Sequence, residues 1–210
     1  MKITKIGHCC MIIEVKGTTI LTDPGIFTVD KHKDLKEIDF ILYTHEHQDH
    51  YHLESLKELL KNNSRSKIYA NNSVSDLLTK ENINHILIKD HETVMLSNIK
   101  VTGIGETHAI IHPSMPQTSN IGFFIDERLW YPGDAFTDPK RSVEILALPV
   151  WAPWLKVSES IDYALHLKPK IAFPVHDALN YSANNRIAEN VLSQKGLKFI
   201  PMRDGDSHEF

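Results

Sequence analysis

Six consecutive residues, His45-Glu46-His47-Gln48-Asp49-His50, begin one residue beyond the large apolar run Phe40-Ile41-Leu42-Tyr43. A short run of that kind reads as a buried strand. Leu53, Leu56, Leu59 and Leu60 then repeat at helical spacing, which predicts a helix over residues 53–61. The histidine cluster therefore lies on a strand-to-helix loop, where a rigid scaffold presents functional groups. Alternate residues of an extended segment point the same way, so His45 and His47 can grip one cation. Asp49 and His50 lie where the chain turns and can reach a second cation. The spacing is not that of the helical zinc motif H-E-x-x-H, because residue 49 is aspartate. A solvated polar loop is the alternative reading, and the density of ligand-type side chains argues against it.

The whole chain reads as strands, two helices, strands, a helix, a strand, a helix and a strand. Residues 11–15 and 18–22 flank Lys16-Gly17, a hairpin signal, and Asp23-Pro24-Gly25 makes a turn. Ser73-Val74-Ser75-Asp76 resembles a capping signature that opens a helix toward Glu81. Strand patterns cover 93–96, 99–104, 121–125, 129–131, 145–148 and 171–175, and 197–202 reads as the last strand. Ser158 can cap a helix that runs to Leu167, and Pro169 prevents its continuation. Residues 184–195 place Ile187, Ala188, Val191 and Leu192 on one helical face, ended by Gly196. Two sheets with helices on their outer faces accommodate this order.

Composition narrows the class. The 210 residues are 41% hydrophobic and 24% charged, as in ordinary globular proteins, and suit one domain over residues 1–210. The formal charge of −4 disfavours a basic nucleic-acid surface. The most apolar stretch, residues 145–155, is short and holds Pro149 and Pro153, so no membrane span is expected. The first residues lack a signal-peptide pattern, and a cytoplasmic location is expected. The two cysteines, Cys9 and Cys10, are adjacent and form no disulfide framework; buried small residues on a strand are the simplest reading. With 13 histidines, a metal site here is built from nitrogen and carboxylate oxygen.

At this point the sequence resembles the metallo-β-lactamase superfamily, whose signature H-x-H-x-D-H is met by residues 45–50 without a substitution. Further landmarks follow in order. Asp23 in Thr22-Asp23-Pro24-Gly25 matches an early structural aspartate. His108 in Gly105-Glu106-Thr107-His108 matches a third histidine. Asp134 in Pro132-Gly133-Asp134 matches an aspartate between two metals, and His176 in Pro174-Val175-His176 matches the last histidine. Taken singly, each would read as turn chemistry, a strand cap or a surface residue. The resemblance implies an α/β fold, a four-layer αββα sandwich of two mixed β-sheets with outer helices. It also implies two divalent metal ions, zinc first, with manganese or iron as alternatives. His45, His47 and His108 would hold one, Asp49, His50 and His176 the other, with Asp134 between and Asp23 orienting its neighbours.

A metal-dependent hydrolase follows as the expected activity. Two cations lower the pKa of a shared water, and the bridging hydroxide attacks a carbonyl carbon or phosphorus. Two divalent ions outweigh two carboxylates and a hydroxide by one positive charge, which favours an anionic small-molecule substrate. Asp49 could orient the nucleophile. His8 and His112 are candidates to deliver a proton to the leaving group, with structural or surface roles as their alternative. His8 stands in Gly7-His8-Cys9, a pattern found in a branch similar to L-ascorbate-6-phosphate lactonase. Trp151, Trp154 and Lys156 are candidates for a substrate wall, or else pack on the core or on a partner subunit of a homo-oligomer. Lactones, thioesters, other esters and phosphodiesters all stay open as substrates. An iron-dependent oxidoreductase on the same fold and a non-catalytic metal-binding protein are the competing readings. The full set of seven ligands opposes the first, and an open, anion-attracting centre opposes the second.

Overall fold

The computed structural model describes residues 1–177 and 183–210. Its first half comprises β1 (Lys2–Gly7), β2 (Cys10–Val15), β3 (Thr18–Thr22), a 3₁₀ turn at Ile26–Thr28, α1 (Val29–His32), β4 (Phe40–Tyr43) and α2 (Leu53–Asn62). There follow β5 (Lys67–Ala70), α3 (Asn72–Lys80), β6 (Ile86–Leu87), β7 (Thr93–Leu96) and β8 (Ile99–Ile104). The second half continues with β9 (Gly122–Ile125), β10 (Leu129–Tyr131), β11 (Ile145–Pro149), α4 (Val157–Leu167) and β12 (Ile171–Val175). It ends with α5 (Ala183–Gln194), β13 (Lys198–Phe199) and β14 (Ser207–Glu209).

The strands form two sheets, ordered β14-β1-β2-β3-β4-β5-β6 and β13-β12-β11-β10-β9-β8-β7. Each has an antiparallel part and a parallel part. In the first sheet, pairing is antiparallel from β14 to β3 and parallel from β3 to β6. In the second it is antiparallel from β7 to β10 and parallel from β10 to β13. The inner faces pack on each other through residues such as Ile3, Met11, Leu42, Val101, Phe123 and Phe173. Leu56, Leu59, Val74 and Leu78 of α2 and α3 cover the first sheet's outer face. Ile161, Ala164, Ala188 and Leu192 of α4 and α5 cover the second. This is the four-layer α/β sandwich with mixed sheets, and it explains why β4, β11 and β12 read as unbroken apolar runs: both of their faces are buried.

Several local expectations need correction. The cap of α3 is Asn71, whose side chain accepts from the Val74 N–H at 3.1 Å; Ser73 lies inside the helix and bonds Glu46 instead. The cap position of α4 is Lys156, not Ser158, and the Glu159 carboxylate accepts from the Lys156 N–H at 2.7 Å. That helix stops at Lys168, in the left-handed region at φ 50°, ahead of Pro169. On α5, Ala188 and Leu192 face the core, whereas Ile187 is exposed. Only Lys198–Phe199 of the stretch 197–202 is strand, and it is not the last, because β14 returns to pair with β1. Strand β5 separates the first two long helices. Among the described residues, no helix is long and apolar enough to cross a membrane.

Candidate metal centre

The H-x-H-x-D-H segment leaves β4 and turns at once, with the His50 and Tyr51 amides both donating to the His47 carbonyl. That turn is seated on Gly25, where an added Cβ would fall 1.9 Å from the Asp49 carbonyl oxygen. The absent side chain thus lets the turn after β3 approach the loop closely, and the Ile26 N–H donates to the Gln48 carbonyl at 2.7 Å. Asp134 arrives from the other sheet on a second such contact. Gly133 has φ 64°, and a Cβ there would meet the Asn120 Oδ1 at 2.4 Å and the Thr44 Cβ at 2.9 Å.

The structure brings the ligand-type side chains together in two groups. Nitrogen atoms of His45, His47 and His108 form one group, and donors of His8, Asp49, His50 and His176 form another, each within 4.8 Å of one another. Asp134 lies between: its Oδ1 is 3.1 Å from His50 Nε2, and its Oδ2 is 3.3 Å from His108 Nε2 and 2.9 Å from His176 Nε2. Asp49 Oδ2 faces His176 Nε2 at 3.4 Å. Cys9 approaches His50 and Asp134 from below, and burial followed by the Asp134 charge pushes its thiol pKa far up.

Hydrogen bonds behind the rings set which nitrogen faces the centre. Asp23, fully buried, accepts from the Thr44 N–H, the Thr44 hydroxyl, the Tyr131 hydroxyl and His50 Nδ1 at 2.8 Å. The Thr44 hydroxyl proton is therefore committed to Asp23, so its oxygen accepts from His45 Nδ1 at 3.0 Å. His108 Nδ1 donates to the Ala109 carbonyl, and His176 Nδ1 to the Trp151 carbonyl. Four imidazoles thus spend their Nδ1 protons outward and turn Nε2 lone pairs inward. His47 differs, placing Nδ1 3.1 Å from His45 Nε2.

These inward atoms test whether cations fit. Among the described residues, Nε2 of His50, His108 and His176 and Oδ1 of Asp134 are buried and find no hydrogen-bond partner, although they lie close to one another. Facing lone pairs repel, and a positive charge between them removes the penalty. Protons are the available substitute. Burial alone would lower the His176 pKa, but Asp134 outweighs it and raises the value to about 9. His50 is likewise raised against its burial, by Asp134 and Asp23. Asp134 itself is held well below the carboxylate range, because His176 and His50 overcome its burial. A metal ion would take the place of these protons, and the donor set of imidazole and carboxylate suits zinc, manganese or iron.

Other candidates fall differently. His8 is buried at the centre, with Nε2 3.1 Å from Asp49 Oδ2. His112 is exposed and bonds the Ser114 hydroxyl and N–H on the same loop; it is not among the clustered donors. Trp154 donates its indole N–H to Asp134 Oδ2 at 2.8 Å. Trp151 is 45% exposed, with its backbone paired to His176. Lys156 is exposed at the start of α4. Sequence reading missed Thr44, Asn120 and Tyr131. Asn120 is buried, accepts from the Asp134 N–H at 3.0 Å and donates to the Pro132 carbonyl at 2.9 Å, bracketing the Gly133 turn. The only sequence hint of Thr44 is its place between a buried strand and the first histidine.

Comparison with known proteins places the chain in a family. A family model described as a beta-lactamase superfamily domain matches residues 2–176. The Mycobacterium tuberculosis protein Rv0786c is 34% identical over 184 residues, covering 85% of each chain. A UPF0173 metal-dependent hydrolase of Polynucleobacter asymbioticus is 27% identical, over 93% of this chain and 81% of its own. Igni18, a novel metallo hydrolase from Ignicoccus hospitalis, shares the fold with a TM-score of 0.77 at 19% identity, covering 100% of this chain and 98% of its own. The chain therefore belongs to the beta-lactamase superfamily, as a metal-dependent hydrolase of metallo-β-lactamase fold.

Proposed function

We propose that the centre is dinuclear, with one cation held by His45, His47 and His108, the other by Asp49, His50 and His176, and Asp134 shared. The observation that supports this reading is the division of the inward donor atoms into two groups on either side of one buried carboxylate. Zinc is the expected metal. The ions, when bound, supply a hydroxide nucleophile at neutral pH and polarise the oxygen that it attacks next to.

The chain's own groups do the remaining work. Asp23 and Thr44 keep His50 and His45 in one tautomer. Trp154 and Asn120 fix the side chain and backbone of Asp134. Asp49, 26% exposed at its side chain, is the carboxylate of the centre nearest solvent and orients the nucleophile. The substrate is a small ester, lactone, thioester or phosphodiester, and an anionic group is favoured by the centre's residual positive charge. Trp151 and Lys156 would border it.

Metal quantification combined with a hydrolysis screen over lactones, thioesters and phosphodiesters tests the proposal. Two zinc ions per chain and turnover of one class are expected. His47→Ala and Asp134→Ala should abolish that turnover and lower metal content, with the fold kept as judged by circular dichroism. Normal activity in either variant would reject the ligand assignment, and one iron per chain with oxidation of thiols would reject hydrolysis.

A further inference from the structure

One group of donors has a member that the H-x-H-x-D-H signature and its later landmarks do not supply. His8 follows β1, is 1% exposed, and takes the left-handed conformation at φ 52°. His176, which follows β12, takes the same conformation at φ 52°, and its backbone N–H donates to the His8 carbonyl at 3.2 Å. An unstrained residue avoids that region, so both positions are held there by their surroundings. The two rings lie 4.1 Å apart between centroids, and the His50 ring is 5.6 Å from His8. The edge of Phe27 covers His8 at 5.1 Å.

We propose that His8 Nε2 is a protein ligand of the cation held by Asp49, His50 and His176. This rests on the two-cation reading above. The donor atoms of all four side chains lie within 4.8 Å of one another. A tetrahedral ion with bonds of about 2.1 Å would set its donors about 3.4 Å apart. The observed spacings to Asp49 Oδ2 are 3.1 Å from His8, 3.4 Å from His176 and 3.7 Å from His50. All three Nε2 atoms converge on that single oxygen. A histidine that merely oriented the carboxylate would bond the oxygen turned away from the other rings. His8 instead meets the one they share, from inside the same cage.

This has a consequence for the substrate. Four side chains close the His8 site with protein donors, as in structural zinc sites, and Asp134 adds to it. The site of His45, His47 and His108 has three, four with the shared Asp134, so it has one protein donor fewer and is the site where a position for substrate oxygen is more readily opened. The His8 site should bind its ion more tightly and fill first.

Cobalt(II) loading of the whole chain provides the test. Wild type, His8→Gln, His8→Cys and the surface control His91→Gln are titrated against a competing chelator while visible absorption is recorded. His8→Gln keeps an N–H that can bond Asp49 but ligates poorly. Two cobalt ions are expected in wild type and in His91→Gln. In His8→Gln, binding of the tighter ion should weaken about tenfold or more, with its absorption bands moved. His8→Cys should show a new thiolate-to-cobalt charge-transfer band that wild type lacks. Two ions bound by His8→Gln with unchanged affinity and spectrum, or no new band in a folded His8→Cys, would overturn the proposal. Fewer than two ions in wild type would instead overturn the two-cation reading, and this proposal with it.

Discussion

Asp23→Asn changes one oxygen to an amino group and should undo much of the centre. Asp23 accepts four hydrogen bonds, three of them at Oδ2, from the Thr44 hydroxyl, the Tyr131 hydroxyl and His50 Nδ1. Asparagine can keep its oxygen on the Thr44 N–H, which leaves an NH₂ group facing these three partners. The Tyr131 and Thr44 hydroxyls can rotate to accept. His50 can accept at Nδ1 only if its proton moves to Nε2, the atom aimed at Asp134. Thr44, once accepting from residue 23, points its own proton at His45 Nδ1 and drives the same change there. One substitution therefore reverses a chain of hydrogen bonds and fills two inward lone pairs with protons. Losing one or two charge-assisted buried bonds costs about 3 kcal/mol of apoprotein stability. Removing a partner that orients metal ligands lowers metal affinity about 10–100-fold. Urea unfolding in the presence of chelator reads the first quantity, and chelator competition with zinc reads the second. An apoprotein within about 0.5 kcal/mol of wild type, the range of an inconsequential surface change, together with unchanged zinc affinity would refute the tautomer argument.

Other perturbations probe separate links. Gly25→Ala drives a methyl into the Asp49 and His50 backbone, at 1.9 and 2.6 Å, so the loop must move; a loss of about 3 kcal/mol and of metal is expected, and an unchanged melting temperature would show the contact to be soft. His32, buried between the Thr28 and Ser55 hydroxyls, has its pKa lowered by burial to about 4, against 6.5 unfolded. Between those values the unfolded chain binds more protons, so stability rises with pH across the window and is lost on acidification, by about 3 kcal/mol in full. His32→Gln should flatten that slope in unfolding experiments from pH 4 to 7; identical slopes would exclude His32 as its source. Chelation should lower the melting temperature, since metal at about 1,000 times its dissociation constant stabilises by about 4 kcal/mol. Equal melting curves with and without chelator would show that the ions do not bridge folded elements.

Much of the candidate centre was legible because its ligand-type residues carry chemistry that little else in a sequence imitates. His45 to His50 stand out by density, and the apolar runs of β4 and β12 mark the strands that present them. The residues that hold those ligands were not legible. Thr44, Asn120 and Tyr131 are common residue types whose meaning comes from partners far along the chain, as when Tyr131 bonds Asp23 across 108 positions. Trp154 was visible as an unusual residue but not as a donor to Asp134. Strands β1, β5 and β14 were missed because they are short or carry lysine, threonine and glutamate on half their positions. Lys5 in β1 is buried all the same, since its ammonium meets Asp177 Oδ2 at 2.5 Å.

Strand direction explains why residues so far apart in sequence meet. In the first sheet β1 and β3 are both antiparallel to β2, and β4 is parallel to β3, so β1, β3 and β4 end at one edge. In the second, β8 and β10 are both antiparallel to β9, with β11 and β12 parallel to β10, so β8, β10 and β12 also end together. His8, Asp23 and the 45–50 segment follow the first three strands, and His108, Asp134 and His176 follow the second three. Contacts across the sheets bring the two edges into register: the Ile121 N–H donates to the Thr44 carbonyl at 3.0 Å, and the His176 N–H to the His8 carbonyl. The antiparallel strands β2 and β9 begin where the others end. The residues just ahead of them, Cys9 and Asn120, accordingly lie beneath and beside Asp134. Carboxyl ends of parallel strands are where α/β sheets bind ligands in general. Here two such edges face each other, so no single sheet holds a complete set of donors, and the centre exists only when both are folded and packed.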